Sequence, residues 1–270
     1  MKRILYITDL FYKANGRNYY EEDLFIVSKL KKHFNIIIGH PQQAIENLHI
    51  SDLIVYRNTG AVLGYENYYR KFVSEVKKQN IHTFNSFDGK ADMVGKDYLM
   101  ELTQLNFPVI PTVENISDIS LLGNPEQYII KLKNGADSIG MKTVSKNELE
   151  KADLENKIIQ PFVDFEYEIS FYYINKEFQY ALYAPDKSKR WELEEIAVTS
   201  KDLEFANKFI EWNPLSQGIT RVDACRLKDG SLLLVELEDL NPFLSLQCAS
   251  KTSQNLFLNN FTNTLNTIIH

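Results

Sequence analysis

Apolar positions along the chain keep two rhythms, one of short blocks and one of helical spacing. Residues 3–8 form an apolar run that stops at Asp9, and 20–33 carries Leu24, Phe25, Val27 and Leu30, then Phe34, at helical intervals. Runs at 36–38 and 53–56 predict two more strands, and 65–78 a second helix. This alternation predicts a small parallel α/β unit over residues 1–90, with Asp9 and Arg57 near the crevice beyond the strand ends. After Asn85-Ser86 the style changes. Lys96 opens a helix with Tyr98, Leu99, Leu102 and Leu105 on its apolar face, followed by a short extended segment at Val109 and Ile110. Residues 128–144 predict strand, small-residue loop and strand; 158–163 a buried strand; and Glu168 opens a strand that turns at Asn175-Lys176. Helices are expected at 202–212 and, amphipathic, at 253–269. The fold class is therefore α/β (α+β), with a second domain over 91–270 and a small lobe at about 113–165.

The segment 220–246, TRVDACRLKDGSLLLVELEDLNPFLSL, concentrates the candidate chemistry. Asp229-Gly230 between two apolar runs predicts a hairpin with a two-residue type I′ loop. That register sets Asp223 opposite Glu236 and Arg221 opposite Glu238, all four on one face, and leaves Val222, Ala224, Leu233, Val235 and Leu237 on a buried face. Three carboxylates on one face repel and call for a cation. Oxygen-only donors suit Mg²⁺ or Mn²⁺, and Mg²⁺ commonly arrives with nucleotide phosphates. The competing interpretation is a surface hairpin with solvated acids, against which the third acid, the arginine and the apolar reverse face weigh.

Composition narrows the classes. With 270 residues, 44% hydrophobic and 24% charged, the chain is an ordinary globular one. A net charge of -6 argues against a general nucleic-acid binder. The apolar run of MKRILYITDL is too short for a signal segment or a membrane span, so no membrane partner and a cytoplasmic location are expected. Cys225 and Cys248 are too few for a disulfide framework; Cys225 would share the acidic face. No G-x-G-x-x-G follows the first strand, which disfavours an NAD site.

Further candidates lie between these regions. Lys131 ends a strand before the loop of Asn134, Gly135, Ala136, Asp137, Ser138 and Gly140, whose amides could cover phosphate oxygens, although an ordinary hairpin explains the same residues. The edge segment Gln160, Phe162 and Val163 could take a purine, with Glu166 or, preferably, Glu168 accepting ribose hydroxyls. Lys187, Lys189 and Arg190 form either a solvated loop or a clamp on phosphate or substrate. Asp9, Arg17, Arg57 and Arg190 are candidates for holding a carboxylate-bearing acceptor. The Tyr-rich stretch 65–69 is either an interface or part of the second helix, the helix being preferred.

The order of these elements, from about Lys96 to Leu246, resembles the ATP-grasp superfamily of carboxylate-amine ligases, such as D-alanine-D-alanine ligase and the glutathione-synthetase and RimK-type ligases. Lys96 with FPVIPT and Lys131 in IIKLKNGADSIGMKTV are similar to its two nucleotide-binding lysines. Gln160 to Val163 resembles the adenine hinge, Glu168 the ribose carboxylate, and Arg221, Asp223 and Glu236 the arginine and first two metal carboxylates. Leu132 stands where the family usually has proline. The common final Glu-x-Asn-Pro is here Glu236-Leu237-Glu238, with Asn241-Pro242 beyond it; Glu238 is third ligand by position and Asn241 a substitute. This form resembles a branch that includes the cycloserine-pathway cyclo-ligase. The resemblance implies a ligase that activates a small-molecule carboxylate with ATP and Mg²⁺ (or Mn²⁺) and passes it to an amine, with Arg221, Lys187 and Arg190 on the reacting groups. A phosphotransferase acting on a hydroxyl, or a non-catalytic nucleotide-binding module, would keep the same nucleotide site. Homodimers are frequent in the resembling family.

Overall fold

The computed structural model describes residues 1–11, 13–14, 17–57, 65–133 and 140–269, the side chains of 13, 14 and 17 excepted. The chain begins with β1 (Arg3–Ile7), the two-residue strands β2 (Lys13–Ala14) and β3 (Arg17–Asn18), α1 (Tyr20–Leu30), β4 (Asn35–Gly39), β5 (Leu53–Tyr56), α2 (Glu66–Lys78) and β6 (Thr83–Phe84). Four of these strands form a parallel sheet in the order β4-β1-β5-β6. Strand β1 is almost wholly apolar because both its faces are covered. Ile4 and Tyr6 join a core with Ile26 and Leu30 of α1, whereas Leu5 and Ile7 join one with Phe72 and Val76 of α2. Tyr69 packs edge-on to Phe87, so this tyrosine of the 65–69 stretch serves the fold as helix surface.

Next come α3 (Asp97–Gln104), β7 (Gln127–Leu132), β8 (Lys142–Ser145), α4 (Lys146–Leu149) and β9 (Lys157–Pro161). The three strands make a small antiparallel sheet, β8-β7-β9, with its own core of Tyr128, Ile130, Leu149 and Ile159. Then follow β10 (Tyr167–Ile174), β11 (Glu177–Tyr183), β12 (Glu194–Glu195), α5 (Ser200–Trp212), β13 (Ile219–Arg226), β14 (Leu232–Glu238) and α6 (Lys251–Ile269). These strands form a five-stranded antiparallel sheet, β12-β11-β10-β13-β14. One face packs on α3 and α5 through Phe171, Val222, Leu234, Leu99 and Phe209. The other packs at one end on α6 and α1, where Tyr172, Ile219, Phe257 and Phe261 meet Ile26 and Phe84.

The β13–β14 hairpin differs from expectation in two places that cancel. Its loop has three residues: Leu227 N–H bonds Ser231 O at 2.9 Å, and Gly230 N–H bonds Leu227 O at 2.9 Å. A type I′ loop needs positive φ at both central residues, yet here only Gly230 has it, at 84°. Asp229 instead uses its carboxylate to accept from Ser231 N at 2.9 Å and Ser231 Oγ at 2.6 Å. The extra loop residue moves the register by one, and a bulge between the Asp223↔Glu236 and Ala224↔Leu234 pairs moves it back. Asp223 thus faces Glu236 and Arg221 faces Glu238 as expected. Between loop and bulge the parity is reversed: Leu232 and Leu234, not Leu233 and Val235, enter the core.

Candidate active site

Parity on the five-stranded sheet builds the site. Glu168, Ser170 and Tyr172 of β10 lie opposite Cys225, Asp223 and Arg221 of β13, and Glu236 and Glu238 of β14 extend the same face. Asp223, Glu236 and Glu238 each offer a carboxylate oxygen within 4.8 Å of the other two, all half-buried. The span across an octahedral Mg²⁺ is about 4.2 Å, twice its bond length of roughly 2.1 Å. An all-oxygen set slightly wider than that fits one such ion after a small adjustment, or an ion pair.

Fixed cations tie this set together. Arg221 Nε donates to both oxygens of Asp223, at 2.9 and 3.0 Å, and Nη2 bonds Asp223 at 2.9 Å and also Glu238. Its Nη1 donates to Phe243 O at 2.8 Å, which fixes the guanidinium plane. Ser170 Oγ donates to Asp223 Oδ1 at 2.6 Å. Lys96, at the N-cap of α3, bonds Glu236 through Nζ. Burial pushes the Glu238 carboxyl up to about 8, helped by Asp223 and Glu236 and opposed by Arg221. Burial acts on Glu236 in the same direction, but Lys96 and Lys131 hold it below the ordinary range. These contrasting pulls mark a site short of positive charge on its Glu238 side.

Lys131 sits on the face of β7 opposite Tyr128 and Ile130, and burial lowers its ammonium, with Glu236, Lys96, Arg190 and Glu168 as the charges around it. Lys96 and Lys131 therefore approach the carboxylates from α3 and from the small sheet, respectively. Gln160 is buried and donates from Nε2 to Thr112 Oγ1 at 2.9 Å. Phe162 is half exposed, and its N–H bonds Gln127 O at 2.9 Å, so its ring is the free part of that edge. Glu168 is on the site face and accepts from Arg190 Nε at 2.8 Å, whereas Glu166 lies exposed before the strand.

Other candidates stand elsewhere. Lys187 Nζ bonds Asp164 at 3.0 Å and Phe165 O at 3.2 Å, beside the Phe162–Val163 edge rather than the carboxylates. Asp9 pairs with His40 at 3.3 Å. Arg57 is buried, donating to Pro242 O at 3.0 Å and lying 3.5 and 3.6 Å from Glu22 and Asp23. Asn241 follows the end of β14 at Glu238. Ser138 and the loop 134–139 lie outside the described residues, as does the side chain of Arg17. Ser170 and Tyr98, whose OH accepts from Leu237 N at 2.8 Å, were not singled out by sequence. Strand parity with Glu168 was the available signal for Ser170; Tyr98 gave none beyond its apolar spacing.

No family model matches the sequence, and no curated protein matches it either. Solved structures do. The crystal structure of D-cycloserine synthetase DcsG superposes with a TM-score of 0.75 at 14% identity, over 99% of this chain and 100% of that one. D-alanine-D-alanine ligase from Bacillus anthracis gives 0.68 at 15% identity, over 100% of this chain and 96% of that one. The ATP-grasp ligase PsnB, in complex with a phosphomimetic variant of its minimal precursor, Mg and ADP, gives 0.65 at 12% identity, over 99% and 98%. Superposition over the whole length, at identities that speak for backbone and not for substrate, shows that this chain has the ATP-grasp fold.

Proposed function

We propose that the protein is an ATP-dependent ligase that activates a small-molecule carboxylate as an acyl phosphate and joins it to an amine, releasing ADP and phosphate. The observation that carries this is the Asp223, Glu236 and Glu238 cluster, with Lys96 bonded to Glu236 and the charge of Lys131 acting on the same carboxylate. The solved neighbours, ligases in their own right, support it.

In this scheme residues 91–270 bind ATP and residues 1–90 contribute to the substrate side. The purine rests at Gln160, Phe162 and Val163, the ribose on Glu168, and the phosphates on Lys96 and Lys131, with the loop carrying Ser138 above them. Asp223, Glu236 and Glu238, with Asn241 in reserve, would hold Mg²⁺ or Mn²⁺, which when bound offsets charge on the β- and γ-phosphates. A substrate carboxylate oxygen attacks the γ-phosphorus, the bond to the ADP oxygen breaks, and an acyl phosphate results. The amine then attacks the acyl carbon, phosphate leaves with the bonding electrons, and the proton lost from the amine nitrogen goes to the departing phosphate. Arg221 is held in plane by Asp223, Glu238 and Phe243 O, and it steadies the transferring phosphoryl oxygens or the tetrahedral oxyanion. Arg190, bonded to Glu168 at the ribose side, and Lys187, at the hinge edge, border the nucleotide, while the loop 134–140 would close to keep water from the acyl phosphate.

The test follows ADP and phosphate across a panel of amino acids and dipeptides with Mg²⁺, beside an Asp223→Asn, Glu236→Gln double variant. Product release that needs both a carboxylate and an amine, and that falls at least about a hundredfold in the variant, is the expected result. Phosphate transfer to a hydroxyl without amine dependence would replace the ligase by a phosphotransferase, and binding without turnover by a silent module.

A further inference from the structure

Asp239, one residue past the last carboxylate of the cluster, is a wholly buried acid with no part in the scheme above. Its Oδ1 accepts from Met93 N at 3.0 Å, and its Oδ2 accepts from Ala91 N at 3.0 Å and Asn213 Nδ2 at 2.8 Å. Asn213 Oδ1 in turn accepts from Lys90 N at 3.0 Å. Two side chains thus gather three N–H groups from the four residues 90–93, donors that the start of the short 3-10 helix Asp92–Val94 leaves without a partner of its own. The grip is reciprocal, because Asp92 Oδ1 accepts from Asp239 N at 2.5 Å and Leu240 N at 3.3 Å. The fit is close: a Cβ at Gly89 would run into Asp239 Oδ2, so only glycine lets the segment pass.

This clamp ties the end of β14 to the turn that delivers Lys96. Val94 N and Gly95 N bond Ala91 O and Asp92 O at 3.1 and 3.0 Å, which leads directly to Lys96, and Lys96 N bonds Lys133 O at 3.1 Å. Glu236 and Glu238 lie on the same strand end that Asp239 terminates. We propose that Asp239 is a positioning residue that sets where the Lys96 ammonium stands relative to Glu236 and Glu238, and so shapes the phosphate-binding site. The proposal rests on Lys96 as a nucleotide ligand. Asp239→Asn keeps the shape but must turn an NH₂ toward either the Met93 donor or the Ala91 and Asn213 donors, which loosens the 90–95 turn.

The test is a double-variant cycle on the affinity for Mg²⁺ with a non-hydrolysable ATP analogue, by calorimetry, in wild type, Asp239→Asn, Lys96→Ala and the double variant, with melting curves beside each. The expected result is that Asp239→Asn weakens binding about tenfold in the wild-type background and less than about twofold in the Lys96→Ala background. An equal factor in both backgrounds, or a lower melting temperature with unchanged affinity of the folded protein, overturns the proposal and leaves the nucleotide site standing. Wild type that binds no analogue overturns the nucleotide site itself and the proposal with it. If Asp239→Asn does not fold, Asn213→Ala removes the Lys90 and Asp239 bonds and should show the same dependence on Lys96 at a factor of about three; its absence is equally decisive.

Discussion

Ser170 and Glu22 show what single residues contribute away from the reacting atoms. Ser170 shares its strand face with Glu168 because two residues along a strand return to the same side, and that alone brings its hydroxyl to Asp223. Ser170→Ala should leave the fold intact and lower turnover about tenfold through a misoriented Asp223, measured as kcat with saturating Mg²⁺ against its rise with Mg²⁺ concentration. Glu22 sits in the buried group of Arg57, Asp23, Tyr6 and Thr8 and accepts from Leu244 N at 2.8 Å and Leu246 N at 3.0 Å. Burial pushes its carboxyl up to about 7, against the opposing pull of Arg57. Folding therefore favours the protonated form, so the stability this group contributes is complete below about 4.5 and is lost as pH rises through about 7. Urea titrations should show wild type losing more stability between pH 5 and pH 8 than Glu22→Gln. Parallel curves for the two would remove Glu22 as the source.

Elements are where the sequence was most readable, although Leu24 and Leu105, expected on apolar helix faces, are exposed and the β13–β14 loop is one residue longer than expected. The parallel unit, α3 after Lys96, the small sheet and the strand pair turning at Asn175 all follow from apolar period and turn residues, because each rests on local chemistry. The β13–β14 loop did not, since Asp-Gly is compatible with two- and three-residue loops, and Asp229's bonds to Ser231 decide between them. The site register survived because the bulge returns it before Glu236. Gly230 takes φ 84° with open space where a Cβ would stand, so Gly230→Ala should cost about 1 kcal/mol with turnover unchanged, read from chemical denaturation and a turnover assay. The N-terminus of α5 is capped by Thr199, whose Oγ1 accepts from Asp202 N at 3.2 Å and is matched by Asp202 Oδ2 on Thr199 N at 3.0 Å. Thr199→Ala should likewise cost about 1 kcal/mol in the same denaturation measurement.

At the scale of the whole molecule, one core crosses between the first ninety residues and the rest. Ile4, Tyr6, Ile26, Phe34 and Phe84 share it with Tyr172, Ile219, Phe257, Phe261 and Leu265, and the Phe84 and Phe261 rings stand 5.1 Å apart. Phe261→Ala should cost about 3–5 kcal/mol. The loss should appear as one transition, with far-ultraviolet circular dichroism and the fluorescence of Trp191 and Trp212 coinciding; two separated transitions would show the halves melting independently. Among the described residues no helix is long and apolar enough to cross a membrane.

The sequence by itself determined the order of elements, the ATP-grasp resemblance and the grouping of Arg221, Asp223, Glu236 and Glu238, because period, turn residues and strand parity act over a few positions. Tertiary structure decided what joins distant segments. It placed Lys96 on Glu236 across 140 residues, Arg57 under Pro242 across 185, and Asp239 against the 90–93 turn across nearly 150. It also turned Lys187 toward Asp164. The first three are pairings of buried or half-buried polar groups whose partners lie far away in the chain, and such pairings are chosen by packing, which no local pattern encodes.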